Sequence, residues 1–152
     1  MDILHLSLDA VLNFTPKPRS VCISILDPGV EINPLAGYAE VLSLRFHDID
    51  TEDFGRFTQL SLDDARRIVE FVWRYRGFNI VAHCHQGQSR SAAVALYAAW
   101  FNGVQLTSET WAYNEMVWKK LMIAHLGCCF RRIDLLGAVR CIREMSMGPA
   151  VS

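Results

Sequence analysis

Cys84 and Arg90 lie six residues apart, on either side of Gly87, in the run His83-Cys84-His85-Gln86-Gly87-Gln88-Ser89-Arg90-Ser91. The apolar Ile80-Val81-Ala82 leads into it and the small apolar residues Ala92 to Ala95 come after it, a pattern that predicts strand, tight loop and helix start. In that order the backbone N–H groups of His85, Gln86, Gly87, Gln88, Ser89 and Arg90 would turn inward at the N-terminus of the helix. Unpaired donors and the helix dipole there favour a phosphate-sized anion. Gly87 permits a turn that a Cβ would hinder. The same field acts on the sulfur, because a thiol at a helix N-terminus beside a guanidinium loses its proton below the free value of about 8.5. Arg90 adds a planar, permanently charged fork that can hold two oxygens of a phosphoryl group as charge develops on them. Nucleophile, amide cradle and clamp together suit transfer of an oxyanion group.

His-Cys-x5-Arg-Ser, with Gly three residues after Cys84, resembles the cysteine-dependent protein tyrosine phosphatases, and the Gly-x-Ser-Arg-Ser ending is similar to their compact dual-specificity branch. The resemblance implies a phosphocysteine intermediate on Cys84, phosphate (or sulfate) held by Arg90 and the amides of His85 to Arg90, and Ser91 assisting departure of the thiolate. It implies a phosphorylated protein or other phosphomonoester as substrate, phosphotyrosine first with phosphoserine and phosphothreonine open, and neither cofactor nor metal. Ester cleavage also needs a proton donor for the leaving oxygen. The family takes it from an Asp on a loop after a preceding strand, where Asp48, Asp50 and Asp53 stand here. Asp48 ranks ahead of Asp50 because it continues directly from Phe46-His47, although Asp50-Thr51-Glu52-Asp53-Phe54 resembles the acid loop of some small members. For each of these residues a turn or capping carboxylate is the competing role. No Trp-Pro-Asp tripeptide is present, a departure from the tyrosine-specific enzymes. The segment Phe46-His47-Asp48-Ile49-Asp50 looks like that of short bacterial or phage phosphatases, which implies a prokaryotic source.

Two other functions fit the same loop. An arsenate reductase or sulfurtransferase would bind arsenic or sulfur oxyanions and would not need Asp48 or Asp50. A non-catalytic phosphate-binding module would keep the cradle without turnover. Zinc held by His83, Cys84 and His85 fits poorly, since neighbours on a strand point to opposite faces and no paired Cys or His motif elsewhere completes four ligands. For the same reason His83 is expected to support the loop from beneath, with His85, Gln86 and Gln88 at the pocket mouth.

With 152 residues the chain is long enough for one domain with a substantial core, ending in a frayed tail over 146–152. A net charge of −1 supplies no basic excess for nucleic acid and no polybasic membrane segment. No apolar run reaches the roughly 18–20 residues of a membrane span, and Asp2 stands where an export signal would be basic. Five cysteines, an odd number in a chain rich in apolar residues, argue for reduced thiols in the cytoplasm and not a disulfide framework, and a monomer is expected. Cys22 and Cys141 read as buried, and the Cys128-Cys129 pair leaves a redox role open.

These residues need elements to position them, and the periodicity predicts an α/β fold: a central, mostly parallel sheet of four to five strands flanked by helices, with the phosphate-binding loop between the last core strand and a central helix. Strands are expected over Asp2–Leu8, Ser20–Leu26, Val41–Phe46 and Phe78–Ala82, with a short helix over Leu8–Phe14 between the first two. Ser61 should cap a helix to about Arg74, closed by Gly77. A helix with little polar face should run from Ser89 to Phe101 and close at Asn102-Gly103. Further helices are expected from Ser108 to about His125 and from Arg131 to Met145. Trp111, Tyr113, Met116, Val117, Trp118 and Leu121 fall at core spacings.

Overall fold

The computed structural model describes residues 1–49 and 55–131, together with Val139, Ile142 and Arg143. Four strands form one sheet: β1 (Ile3–Leu6), β2 (Ser20–Leu26), β3 (Val41–Arg45) and β4 (Asn79–His83). The order is β1-β4-β2-β3 and every pairing is parallel. The helices with both ends among the described residues are α1 (Leu8–Leu12), α2 (Leu62–Arg74), α3 (Arg90–Asn102) and α4 (Glu115–Arg131). Among the described residues the strand count is the lower of the two expected, and the strand ends shift by one or two residues; α4 is displaced further, running to Arg131 and not ending near His125.

Alternation along the strands divides the core. Val21, Ile23, Ile25, Ile80 and Ala82 face α2, α3 and α4 in the main cluster, while Cys22 and Val81 pack with Val11 of α1 and the loop residues Leu35 and Tyr38 on the other side. β2 is buried throughout its length, as a central parallel strand must be. Burial alone pushes the Cys22 thiol up to about 12. Helix α3 is buried from Arg90 to Ala99, which accounts for its missing polar face, and it stops on Gly103 in the left-handed region. Ser61 caps α2 through Asp64 N–H, and the helix ends at Arg74 with Tyr75 as its C-cap, before Gly77.

One expected helix start is wrong. Ser108 caps nothing; its Oγ accepts from His5 N–H at 3.1 Å, and Thr107 exchanges hydrogen bonds with Ile3 in the same way. β1 is an edge strand with unpaired backbone groups, and the segment after α3 runs along that edge and satisfies them. Helix α4 begins seven residues later, capped by Asn114, whose Oδ1 accepts from Val117 N–H at 2.9 Å. The extended path also moves Trp111 out of the core to 84 % exposure, whereas Val117, Trp118 and Leu121 are buried as expected. Most of the helix expected over Arg131–Met145, and Cys141 with it, lies outside the described residues; Val139, Ile142 and Arg143 are helical. Among the described residues no helix is long and apolar enough to cross a membrane.

Beneath the loop that extends from β4, His83 and Ser24 are register partners on β4 and β2, and His83 Nε2 lies 2.8 Å from Ser24 Oγ. The imidazole is fully buried and Nδ1 has no partner among the described residues, so protonation would place an unmatched charged donor in the interior. Burial, with Arg45 adding repulsion, pulls its pKa from 6.5 down to about 4. The unfolded chain therefore binds the proton first. His83 costs the fold nothing above pH 6.5 and removes stability as pH falls from 6.5 towards 4, on the order of 2–3 kcal/mol at about 1.4 kcal/mol per unit. Urea midpoints measured at pH 7.5 and pH 5 should fall more in the natural chain than in His83→Gln. Equal falls would show that His83 is protonated in the folded state.

Candidate active site

Parallel strands bring all four carboxyl ends to one edge of the sheet, where α/β proteins open their ligand crevice. Cys84 comes directly after β4, Asp27 directly after β2, and Phe46, His47 and Asp48 after β3; β1 ends at Leu6, with His5 inside its last turn of pleat. The chain leaves β1, lays down β2 and β3 beyond a gap, and returns with β4 to fill it. Cys84 thus emerges between neighbours on both sides.

The Cys84 side chain turns to the helical face of the sheet, opposite to His83, and is 1 % exposed. Its Sγ lies 3.1 Å from Ser91 Oγ and accepts from Gly87 N–H at 3.3 Å. The turn that brings Gly87 N–H back over the sulfur has φ +75° at Gly87. A Cβ there would come within 2.4 Å of Ser7 N, so both conformation and space require glycine.

Arg90 opens α3 and is 3 % exposed. Its Nη1 donates to Asp27 Oδ1 at 2.6 Å and to the Phe46 carbonyl at 2.5 Å, which ties α3 to the ends of β2 and β3. Its Nε is buried, makes no hydrogen bond among the described residues and lies 3.8 Å from Asp48 Oδ2. One corner of the guanidinium is thus used by the fold, while among the described residues Nε has the Asp48 carboxylate at ion-pair distance and no hydrogen bond.

Comparison with known family models, curated proteins and solved structures finds no match.

Asp48 is held by two donors on one oxygen: Ser89 Oγ at 2.7 Å and Asn114 Nδ2 at 2.9 Å both reach Oδ1. Ser89 spends its hydroxyl on that contact and gives α3 no side-chain cap, leaving first-turn amide donors without one. Asn114 also donates to the Ile49 carbonyl at 2.9 Å and its own N–H donates to the Ser89 carbonyl at 3.2 Å. It therefore joins three pieces: the Asp48 loop, the start of α3 and the start of α4. Asp50 and Asp53 lie outside the described residues.

Beside the loop a cleft of about 390 Å³ is lined by His5, Gln86, Gln88, Glu109, Thr110 and Trp111, among others. Gln86 and Gln88 stand at the wall of this cleft, which includes neither Cys84 nor Arg90; His85 is exposed and outside it. Sequence reasoning missed Asp27, Asn114 and His5. Asp27-Pro28-Gly29 reads as a turn, and the Asp27 carbonyl does accept from Val30 N–H at 3.1 Å, so its second partner, Arg90, is hidden behind a sufficient local explanation.

Proposed function

We propose that the chain is a cysteine-dependent phosphomonoesterase acting on phosphorylated proteins, phosphotyrosine in particular, in the cytoplasm and as a monomer. The observation that carries the reading is the Cys84 sulfur held between Gly87 N–H and Ser91 Oγ at the opening of α3. A donor aimed at sulfur stabilises negative charge on it, and the uncapped first turn of α3 together with the Nε of Arg90, which makes no hydrogen bond among the described residues, offers donors to an oxyanion. The segment from His85 to Arg90 acts as the phosphate-binding loop.

In the first step the Cys84 thiolate attacks phosphorus and an S–P bond forms. The ester P–O bond breaks, and the leaving oxygen takes a proton from the Asp48 carboxyl group. In the second step the Asp48 carboxylate removes a proton from water, whose oxygen attacks phosphorus. The S–P bond then breaks, inorganic phosphate leaves, and the Ser91 hydroxyl donates to the departing sulfur. Arg90 tracks the equatorial oxygens through both steps. Asp50 remains the alternative acid.

The test is release of inorganic phosphate from an aryl phosphate and from phosphotyrosine and phosphoserine peptides, alongside thiosulfate with cyanide and arsenate with a thiol. Saturable phosphate release from the aryl ester and the phosphotyrosine peptide is the expected result. Thiocyanate or arsenite formation without phosphate release would assign the loop to sulfur or arsenic chemistry, and binding of phosphate without any turnover would leave a binding module.

A further inference from the structure

The loop amides can serve an anion only if their carbonyls are turned away from it, and two of those carbonyls are held on the same side by β1 and the first residue of α1. The His85 carbonyl accepts from Leu8 N–H at 3.1 Å, and the Gly87 carbonyl lies 2.5 Å from His5 Nδ1. A carbonyl only accepts, so Nδ1 carries the hydrogen. Among the described residues no peptide is cis, and in a trans peptide unit the C=O and the next residue's N–H point in opposite directions. Pinning the His85 and Gly87 carbonyls towards β1 therefore directs the Gln86 and Gln88 amides away from it. The Gly87 amide between them points at the Cys84 sulfur.

The two pins differ in strength of constraint. Leu8 N–H is backbone at the start of α1 and cannot leave. The Gly87–Gln88 unit comes after a glycine at φ +75°, the residue type for which a peptide flip meets least steric resistance, and its carbonyl is held by a side chain. The ring itself is fixed at its other end, where Nε2 lies 2.7 Å from Thr110 Oγ1, a residue 3 % exposed on the segment that edges β1.

We infer that His5 is a positioning residue for the anion-binding loop: its Nδ1–H locks the Gly87–Gln88 peptide so that the Gln88 N–H, and not the Gly87 carbonyl, faces the oxyanion. The inference rests on the oxyanion reading of the loop proposed above. Without the lock a flipped unit presents a carbonyl oxygen to a dianion, which exchanges an attraction for a repulsion.

Asparagine and glutamine divide the two contacts of the ring. Asn Nδ2 sits as many bonds from the backbone as His Nδ1 and can still donate to the Gly87 carbonyl. Gln reaches the Nε2 position and can still meet Thr110, and it leaves the carbonyl free. The readout is alkylation of Cys84 by iodoacetamide in the full chain, with mass analysis of the Cys84 peptide and inorganic phosphate titrated as protectant. His5→Asn should keep a protection constant within about threefold of the natural chain, and His5→Gln should need about 10- to 100-fold more phosphate, the worth of one hydrogen bond to a charged group. Thermal midpoints of both variants serve to separate a fold defect from a loop defect. Equal protection in both variants, equal loss in both, or loss confined to His5→Asn would each overturn the role of Nδ1. Failure of phosphate to protect the natural chain is a different result: it removes the oxyanion reading of the loop, and this inference falls with it.

Discussion

Cys84→Ser is expected to abolish turnover, lowering kcat on an aryl phosphate by about ten-thousandfold or more, while inorganic phosphate still binds. A serine hydroxyl at neutral pH is not an anion, and among the described residues no base is found within hydrogen-bond reach of Sγ; its partners are the Gly87 amide and the Ser91 hydroxyl. The substitution therefore removes the nucleophile and leaves the donors for the oxyanion in place. Because oxygen is smaller than sulfur and the site is 1 % exposed, the fold should change by no more than about 1 kcal/mol. Acid quenching with a labelled substrate gives the decisive comparison. The natural chain should yield label on the Cys84 peptide, and the variant none. A variant that kept a tenth of the activity would place the nucleophile elsewhere and end the phosphocysteine mechanism.

The parts of the fold legible in the sequence are those with a local cause. β2 reads as a strand because Ser20 to Leu26 is apolar between turn residues, and α2 because Ser61 and Asp64 mark a helix start before a three-and-four spacing. Helix α3 reads as central because it lacks a polar face. Cys84, Gly87, Arg90 and Ser91 could be singled out because they fall within eight consecutive residues. What escaped is what tertiary structure decides. The Ser108 segment carries a good capping residue, but the open edge of β1 competes for the same hydroxyl and wins, which also sends Trp111 into solvent. Local capping preference is worth about 1 kcal/mol, and a strand edge left unsatisfied costs several times that.

The same distinction explains the missed partners of the site. Asn114 is 66 residues from Asp48 and His5 is 82 from Gly87, so no spacing rule connects them. Both sit beside better-known signals: Asn114 resembles an ordinary cap, and His5 an ordinary polar residue on an alternating strand. Each does its local job and also reaches the loop, and only register and the crossover that inserts β4 beside β1 bring that second contact about. A residue with two roles is therefore the kind most easily underestimated from its sequence neighbours.

Arg90 has two roles of this kind, and separating them makes the second strong prediction. Nη1 ties α3 to Asp27 and to the Phe46 carbonyl, whereas Nε is buried, makes no hydrogen bond among the described residues and lies 3.8 Å from Asp48 Oδ2. Lysine keeps a positive charge that can satisfy Asp27 or the carbonyl, but it has no second edge with which to hold two oxygens. Arg90→Lys is therefore expected to fold with a loss of about 1–2 kcal/mol and to lose roughly a thousandfold in kcat/KM, the scale reached when a preorganised oxyanion donor is removed. Arg90→Ala should lose as much activity and more stability, about 3 kcal/mol, because it opens a cavity at a side chain that is 3 % exposed and leaves the Phe46 carbonyl without its donor. Asp27 is 43 % exposed, so water can replace the arginine there and its share of the cost is small. Asp27→Asn, which keeps an acceptor for Nη1, should sit close to the natural chain in both measures. If Arg90→Lys held kcat/KM within threefold while losing stability, the guanidinium would be a structural tie between the ends of β2, β3 and α3, and the Nε edge would have no part in binding phosphate.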